Sequence, residues 1–212
     1  MKVDKESMLL YVVTDRSWLG SNLLHVQVEK IIKAGATFIQ LREKDLSFDQ
    51  FVKIAEEMKE VTDKYQVPFV INDNVQVAIK VNADGVHVGQ SDMKAKDVRT
   101  LIGPDKILGV SVQTVEQAVQ AEKSGADYLG VGAVFSTSTK LDANQVSFET
   151  IKEICSSVSI PVVAIGGIDQ NNISDLKGSG IAGVAVVSAI FAKPDVAKAT
   201  ADLYMLAKGL FA

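Results

Sequence analysis

The chain has 212 residues, of which 47% are hydrophobic and 23% charged, with a mean hydropathy of +0.18; this is the make-up of one globular domain and not of a disordered or fibrous chain. A net charge of −4 and a pI near 5.3 argue against general nucleic-acid or membrane-surface binding, which needs a basic face. An anionic substrate would therefore need its positive charge supplied locally. Cys155 is the single cysteine, which rules out an internal disulfide and a thiolate metal cluster. Met1 to Ser7 is polar and charged, without a signal-peptide core, and no apolar run reaches membrane-spanning length. The cytoplasm is the expected compartment, with no membrane or nucleic-acid partner and self-association left open.

In chain order, short apolar runs rich in β-branched residues recur at Leu9–Asp15, Phe38–Glu43, Phe69–Asp73, Gly85–Gly89, Ile107–Val112, Tyr128–Val134, Val162–Gly167 and Gly183–Ile190. Near-continuous Val/Ile/Leu runs are what strands buried on both faces look like. Amphipathic stretches lie between them. Phe51, Ile54, Ala55, Met58 and Val61 keep the 3.6-residue period within a helix predicted over Phe48–Lys64, with Ser47 as its N-cap. Thr114 and Gln117 read as a capping box opening Thr114–Ser124. Ala34-Gly35-Ala36, Asn82-Ala83-Asp84-Gly85 and Ser124-Gly125-Ala126-Asp127 each close a helix before the next strand. The unit at Asn74–Asn82 is the shortest. Eight units in 212 residues leave about 26 residues each, enough for a strand, a helix and two loops. Strict alternation implies a parallel sheet, and eight repeats favour a closed (β/α)8 TIM barrel over an open doubly wound sheet. No Pro/Gly/Ser-rich linker interrupts the series, so residues 1–212 are expected to form one catalytic domain.

Barrels of this kind build their sites at the C-terminal ends of the strands. All eight ends here are polar: Asp15 and Arg16; Gln40, Arg42 and Lys44; Asn72 and Asp73; Gln90 and Asp92; Ser111 and Gln113; Ser136 to Lys140; Gly166 and Gly167; Ser188. Each has a plain structural reading. Asn72-Asp73 could be an N-cap, Arg42-Glu43-Lys44 a solvated ion cluster, and Gly166-Gly167 a turn. Eight such coincidences together are a different matter. By chemistry two groups emerge. Thr137, Thr139 and Lys140 with Gly166-Gly167 suit a phosphate, as does Ser188 opening the last helical unit. Asp73 and Asp92, without imidazole or thiol nearby, suit Mg²⁺, and Arg42 and Lys44 on the neighbouring strand would face the same phosphates. Two anion clusters and a metal imply two phosphorylated small-molecule substrates, or one carrying phosphates at both ends. His25 and His87 do not form a metal pair; His87 reads as a packed barrel histidine, Cys155 as core, and Trp18 as a lid contact or surface anchor.

Several stretches in sequence order resemble the thiamine-phosphate synthase family. They are Tyr11-Val-Val-Thr-Asp15, Gln40-Leu-Arg-Glu-Lys44, Ile71-Asn-Asp73, Ala83-Asp-Gly-Val-His-Val-Gly-Gln90 with Asp92, and Gly109-Val-Ser111. Further along come Gly125-Ala-Asp-Tyr128, Gly130-Val-Gly132, Thr137-Ser-Thr-Lys140 with Asp142-Ala143, Ala164-Ile-Gly-Gly-Ile168 and Val186-Val-Ser188. The match runs from about residue 9 to 190. The resemblance implies a (β/α)8 barrel that condenses 4-amino-2-methyl-5-hydroxymethylpyrimidine diphosphate with hydroxyethylthiazole phosphate, using Mg²⁺ and releasing diphosphate. It implies that Gln40, Arg42, Lys44, Asn72, Ser111 and Lys140 contact the pyrimidine diphosphate, with Arg42, Lys44, Ser111 and Lys140 catalytic and Leu41 and Glu43 also substrate-binding. Asp73 and Asp92 would hold Mg²⁺. Thr137, Ser138, Thr139, Gly167, Val187 and Ser188 would hold the thiazole phosphate, partly through backbone. In that family diphosphate departs first and the thiazole nitrogen captures a pyrimidine carbocation. Such chemistry asks for electrostatic stabilisation and proximity rather than an acid–base pair.

The chain departs from the family at Ser136, where proline is usual, and at Asn144-Gln-Val-Ser147, where a glycine commonly follows the loop. Two relatives compete. A thiazole tautomerase of the same barrel lacks the Asn-Asp pair, the second aspartate and the second-strand lysine, and carries a histidine where this chain has Gln113. A non-catalytic barrel that binds thiamine precursors would not need a leaving-group clamp. An isomerase of aromatic amino-acid synthesis would show an acid/base pair at the strand ends, and none is visible.

Overall fold

The computed structural model describes residues 3–136 and 145–212. Its strands are β1 (Leu10–Val13), β2 (Phe38–Leu41), β3 (Phe69–Asn72), β4 (Gly85–Val88), β5 (Ile107–Val112), β6 (Tyr128–Val131), β7 (Val162–Ile165) and β8 (Gly183–Val186). They pair in chain order, all parallel, and β8 closes on β1, so the barrel expected from the repeat is the fold. The helices are α1 (Leu24–Lys33), α2 (Phe48–Tyr65), α3 (Val75–Lys80), α4 (Ala95–Ile102), α5 (Val115–Lys123), α6 (Phe148–Ser157), α7 (Ser188–Phe191) and α8 (Val196–Phe211). Between β7 and β8 the chain makes only a 3-10 turn at Ile173–Leu176, and α8 packs against that turn, β1 and β8.

Alternation along each strand divides the core in two. Outward positions such as Leu10, Val12, Ile39, Leu41, Phe69 and Ile71 join the helices in one aliphatic layer. Each such side chain, fully buried, contributes roughly 1.5–3 kcal/mol. Inward positions form a second cluster of Tyr11, Val13, Phe38, Val70, Ile107, Tyr128, Val163 and Ala185, with Met8 and Ala182 at its floor. Tyr11, Phe38 and Tyr128 meet there at centroid distances of 4.5 to 5.8 Å, tilted or edge-on.

The strand starts match the sequence reading closely, and the ends come earlier in every strand but β5. The run at Gly183–Ile190 holds both β8 and most of α7, because Ala189 and Ile190 are as buried and apolar as a strand would be. Ser47 caps α2 with a full capping box: its hydroxyl accepts from Gln50 N and Gln50 Oε1 accepts from Ser47 N. The box expected at Thr114 is only half formed. Thr114 Oγ1 accepts from Gln117 N, but Gln117 Oε1 reaches one residue further back, to Gln113 N at 2.7 Å. The short unit is helical over Val75–Lys80, capped by Asn74. The expected closures at Gly35, Asn82 and Gly125 all have positive φ.

The N-terminal rim of the barrel is fully tied. Thr37 Oγ1 accepts from Leu10 N, Asp84 Oδ2 from Phe69 N and Asp127 Oδ2 from Leu108 N, each bond joining neighbouring strands. Arg99 spans three loops: its guanidinium donates to the carbonyls of Gly103, Lys106 and Gly125 and meets Asp127 Oδ2 at 2.6 Å.

Candidate active site

At the opposite rim, Thr14 is buried and fixes the end of β2: its N–H donates to Gln40 O and its hydroxyl accepts from Arg42 N. Asp15 caps the 3-10 turn Arg16–Trp18 through Ser17 N, and so serves the loop. Arg16 Nε donates to Glu43 Oε2 at 3.0 Å and lies 2.8 Å from Oε1. Burial pushes the Glu43 carboxyl up, and the Arg16 charge opposes that rise. The cluster read as Arg42-Glu43-Lys44 is thus resolved differently: Glu43 is paired from β1. Leu41, expected among the substrate contacts, faces away from the lumen. Its side chain points outward into the aliphatic layer and is wholly buried, so only its backbone can face a ligand.

Asp73 has φ of +60°, a left-handed conformation that Asn and Asp tolerate better than most residues, and its N–H donates to His87 O at 2.8 Å. The N-cap of α3 is Asn74, whose Oδ1 accepts from Val77 N, so the capping explanation of Asn72-Asp73 falls away. After β4, Asp92 folds back to accept from Gly89 N at 2.7 Å; a side chain at Gly89 would meet that carboxylate. Asp92 is a close enough neighbour of Asp73 to act on its carboxyl. Burial first, and then Asp92, push the Asp73 carboxyl up to about 6, while Asn72 and the Arg42 charge pull it down. A cavity of about 590 Å³ opens here, lined by Glu43, Lys44, Asn72, Asp73 and Met93 among others.

Two carboxylates brought together at the barrel mouth, Asp73 exposed and Asp92 partly so, fit a hard divalent cation, which would remove their repulsion. Among the described residues no group of three or more His, Cys, Asp or Glu assembles. The chain would then supply this pair, leaving other positions to water and phosphate oxygens, the usual manner of Mg²⁺.

Across the mouth, Ser111 on β5 has its carbonyl held by Gln90 Nε2 at 2.7 Å. Gln113, at the position of the tautomerase histidine, donates through Nε2 to Gly132 O. Thr137, Ser138, Thr139 and Lys140 lie outside the described residues. What flanks them is informative. Val134 N and Phe135 N donate to Ile165 O and Gly166 O, so the sixth loop leaves the barrel clamped to the end of β7. Gly166 and Gly167 both have positive φ, and a Cβ would lie 2.6 Å from Ala133 Cβ and 2.4 Å from Ser136 O respectively. They are more than a turn; they are the seat of that loop. Val187 and Ser188 follow β8, next to β7 in the barrel.

The structure therefore gathers Arg42, Lys44, Asn72, Asp73 and Asp92 along β2–β4, and sets Gly167, Val187 and Ser188 on the β7–β8 side. The sequence reading passed over Tyr11, Tyr128 and the polar bonds of His87. Tyr and His on buried strands look like packing, and the signal available was their shared inward parity with Gln40 and Ser111.

The chain resembles known proteins over most of its length. Residues 10–190 match the family model described as thiamine monophosphate synthase. The chain is 52% identical over 194 residues to a thiamine-phosphate synthase of Clostridium tetani, covering 92% of this chain and 93% of the relative. It is 54% identical over 187 residues to one from Ruminiclostridium cellulolyticum, covering 88% and 89%. The solved thiamine phosphate pyrophosphorylase of Pyrococcus furiosus superposes with a TM-score of 0.90 at 38% identity, covering 98% of this chain and 99% of that one. With strand order, rim chemistry and these likenesses in agreement, the chain belongs to the thiamine monophosphate synthase family.

Proposed function

We propose that this protein is a thiamine-phosphate synthase, a transferase of thiamine biosynthesis that joins the pyrimidine diphosphate to the thiazole phosphate and releases diphosphate. One C–O bond, between the pyrimidine methylene and the diphosphate, breaks; one C–N bond, from the thiazole nitrogen lone pair to that methylene, forms. The electron pair of the broken bond leaves on the diphosphate, so the work of the protein is to receive negative charge and hold two rings in line. The observation that carries the reading is the Asp73–Asp92 pair beside Arg42 and Lys44. On an acidic chain handling two phosphorylated substrates, two carboxylates at the anion site make electrostatic sense only with a cation between.

Asp73 and Asp92 would hold Mg²⁺, which when bound neutralises the diphosphate as a Lewis acid. Arg42 would grip the diphosphate as a fork and Lys44 as a point charge, with Asn72 and Ser111 as neutral donors. Lys140 is assigned to the same substrate, and Thr137 to Thr139 with Gly167, Val187 and Ser188 to the thiazole phosphate. The domain assignment stays as residues 1–212 in one catalytic barrel, working in the cytoplasm; no helix among the described residues is long and apolar enough to cross a membrane. The test is to incubate the purified protein with both substrates and Mg²⁺. Thiamine phosphate and diphosphate in equal amounts are expected; neither product at any Mg²⁺ concentration would overturn the reading.

A further inference from the structure

The barrel lumen holds a continuous line of hydrogen bonds that the chemistry above does not use. Gln40 Nε2 donates to the Tyr11 hydroxyl, which lies 2.7 Å from the Tyr128 hydroxyl; that in turn is 2.9 Å from His87 Nδ1, and His87 Nε2 is 2.8 Å from Ser111 Oγ. The line starts on β2, crosses through β1, β6 and β4, and ends on β5. Its two ends are residues assigned to the pyrimidine diphosphate.

The line has a direction. With the Gln40 amide oriented as in the structure, its nitrogen can only donate, so Tyr11 accepts there and keeps its one proton to offer to Tyr128. Tyr128, accepting from Tyr11, gives its proton to His87 Nδ1. That order of donors calls for a neutral His87 with its hydrogen on Nε2, directed at Ser111 Oγ. Burial pushes both phenols well above their ordinary values, which keeps each one a neutral donor. The strands make room for the line: a Cβ at Gly109 would lie 2.3 Å from the Tyr128 hydroxyl oxygen and 2.5 Å from His87 Nδ1, and one at Gly130 3.3 Å from His87 Cε1.

Resting on the synthase reading, we infer that Tyr11, Tyr128 and His87 are positioning residues which occupy Ser111 Oγ as an acceptor, so that its own proton is presented to the bound pyrimidine diphosphate. Ser111 would otherwise be free to turn its proton toward His87 and offer the substrate a lone pair. None of the three touches substrate. They fix which way the hydroxyl points before substrate arrives, and they couple that choice to Gln40 across the lumen.

The test begins with the free protein, where activity plays no part. His25→Gln, a change on α1 away from the site, leaves His87 as the sole histidine for nitrogen NMR. The Nε2–H tautomer is expected at neutral pH. The Nδ1–H tautomer or an imidazolium would overturn the inference even if the protein makes thiamine phosphate. A protein that shows the tautomer and makes no product would sink the synthase reading instead. In kinetics, Tyr128→Phe should lower kcat about tenfold or more, with the KM for thiazole phosphate unchanged and the His87 tautomer mixed. His87→Gln keeps a nitrogen donor near the Nε2 position and should retain most of the activity that His87→Leu loses. Equal loss in Gln and Leu variants that melt alike would reduce His87 to packing and overturn the positioning role.

Discussion

The two rims of this barrel use the same side chains to opposite ends. At the N-terminal rim Thr37, Asp84 and Asp127 each take a backbone N–H from the neighbouring strand, and Arg99 closes three loops with every contact of favourable sign. At the C-terminal rim Asp73 sits in left-handed backbone, faces another carboxylate, and is pushed up by burial. The first rim is satisfied by the protein alone. The second is left in tension that a cation and anions would resolve, and the contrast separates the polar residues that hold the fold from those proposed to meet substrate.

The contrast breaks most sharply if Asp73 or Asp92 becomes asparagine. Asparagine tolerates the left-handed backbone of Asp73, so Asp73→Asn removes charge with little added strain. Turnover should fall by about a thousandfold or more, roughly 4 kcal/mol in the barrier, with binding of the thiazole phosphate by calorimetry nearly unchanged. Full activity of both variants, or of the wild type in excess chelator, would dissolve the distinction. Arg99→Ala is the counterpart at the other rim. It should cost roughly 1.5–3 kcal/mol in denaturant unfolding while kcat and both KM values of the folded enzyme stay put.

A pH titration sharpens the comparison further. Because the folded Asp73 carboxyl is raised from 3.8 to about 6, the folded state binds more protons than the unfolded one between those values. In chelator, the stability of the wild type relative to Asp73→Asn should be highest below about pH 4, fall as pH rises through 6, and level off above it. Mg²⁺ at neutral pH should restore the loss. A melting curve rising over that window would show the carboxylate to be satisfied without a cation. The smallest effect is expected from Ser136→Pro, which should add about 0.4–1 kcal/mol where the chain enters the sixth loop, with rates unchanged.

How far the sequence carried depends on which physical signal each feature leaves. Strand starts at Phe38, Phe69, Gly85, Ile107, Tyr128, Val162 and Gly183 coincide with the beginnings of apolar runs, since burial begins where the ladder does. The ends were overrun: Asp73, Gly89 and Val134 lie past the last strand residues, although Asp73 N and Val134 N still bond to the neighbouring strand, so nothing local marks where the strand ends. Of the site, the Asp73–Asp92 meeting follows from strand order alone, because consecutive parallel strands bring consecutive ends together. The engagement of Glu43 by Arg16 rather than by its chain neighbours did not follow, as it depends on where β1 ends relative to β2. The lumen network was hidden for a different reason. Tyr11, His87 and Tyr128 are nearly as buried as the valines around them, and only the positions of their polar atoms tell them apart.

The pairing of β1 with β8 sets Leu10 beside Val184, more than 170 residues away along the chain. Every other ladder in the barrel joins successive strands, so a growing chain can add them one after another. This last seam cannot form until the ribosome has delivered the eighth strand, and until then the sheet has two raw edges able to pair with a stranger. Folding of such a topology is slow, because a long loop must close before its contacts reward it. The seam between β1 and β8 is therefore the part of a half-made barrel most open to pairing with another chain.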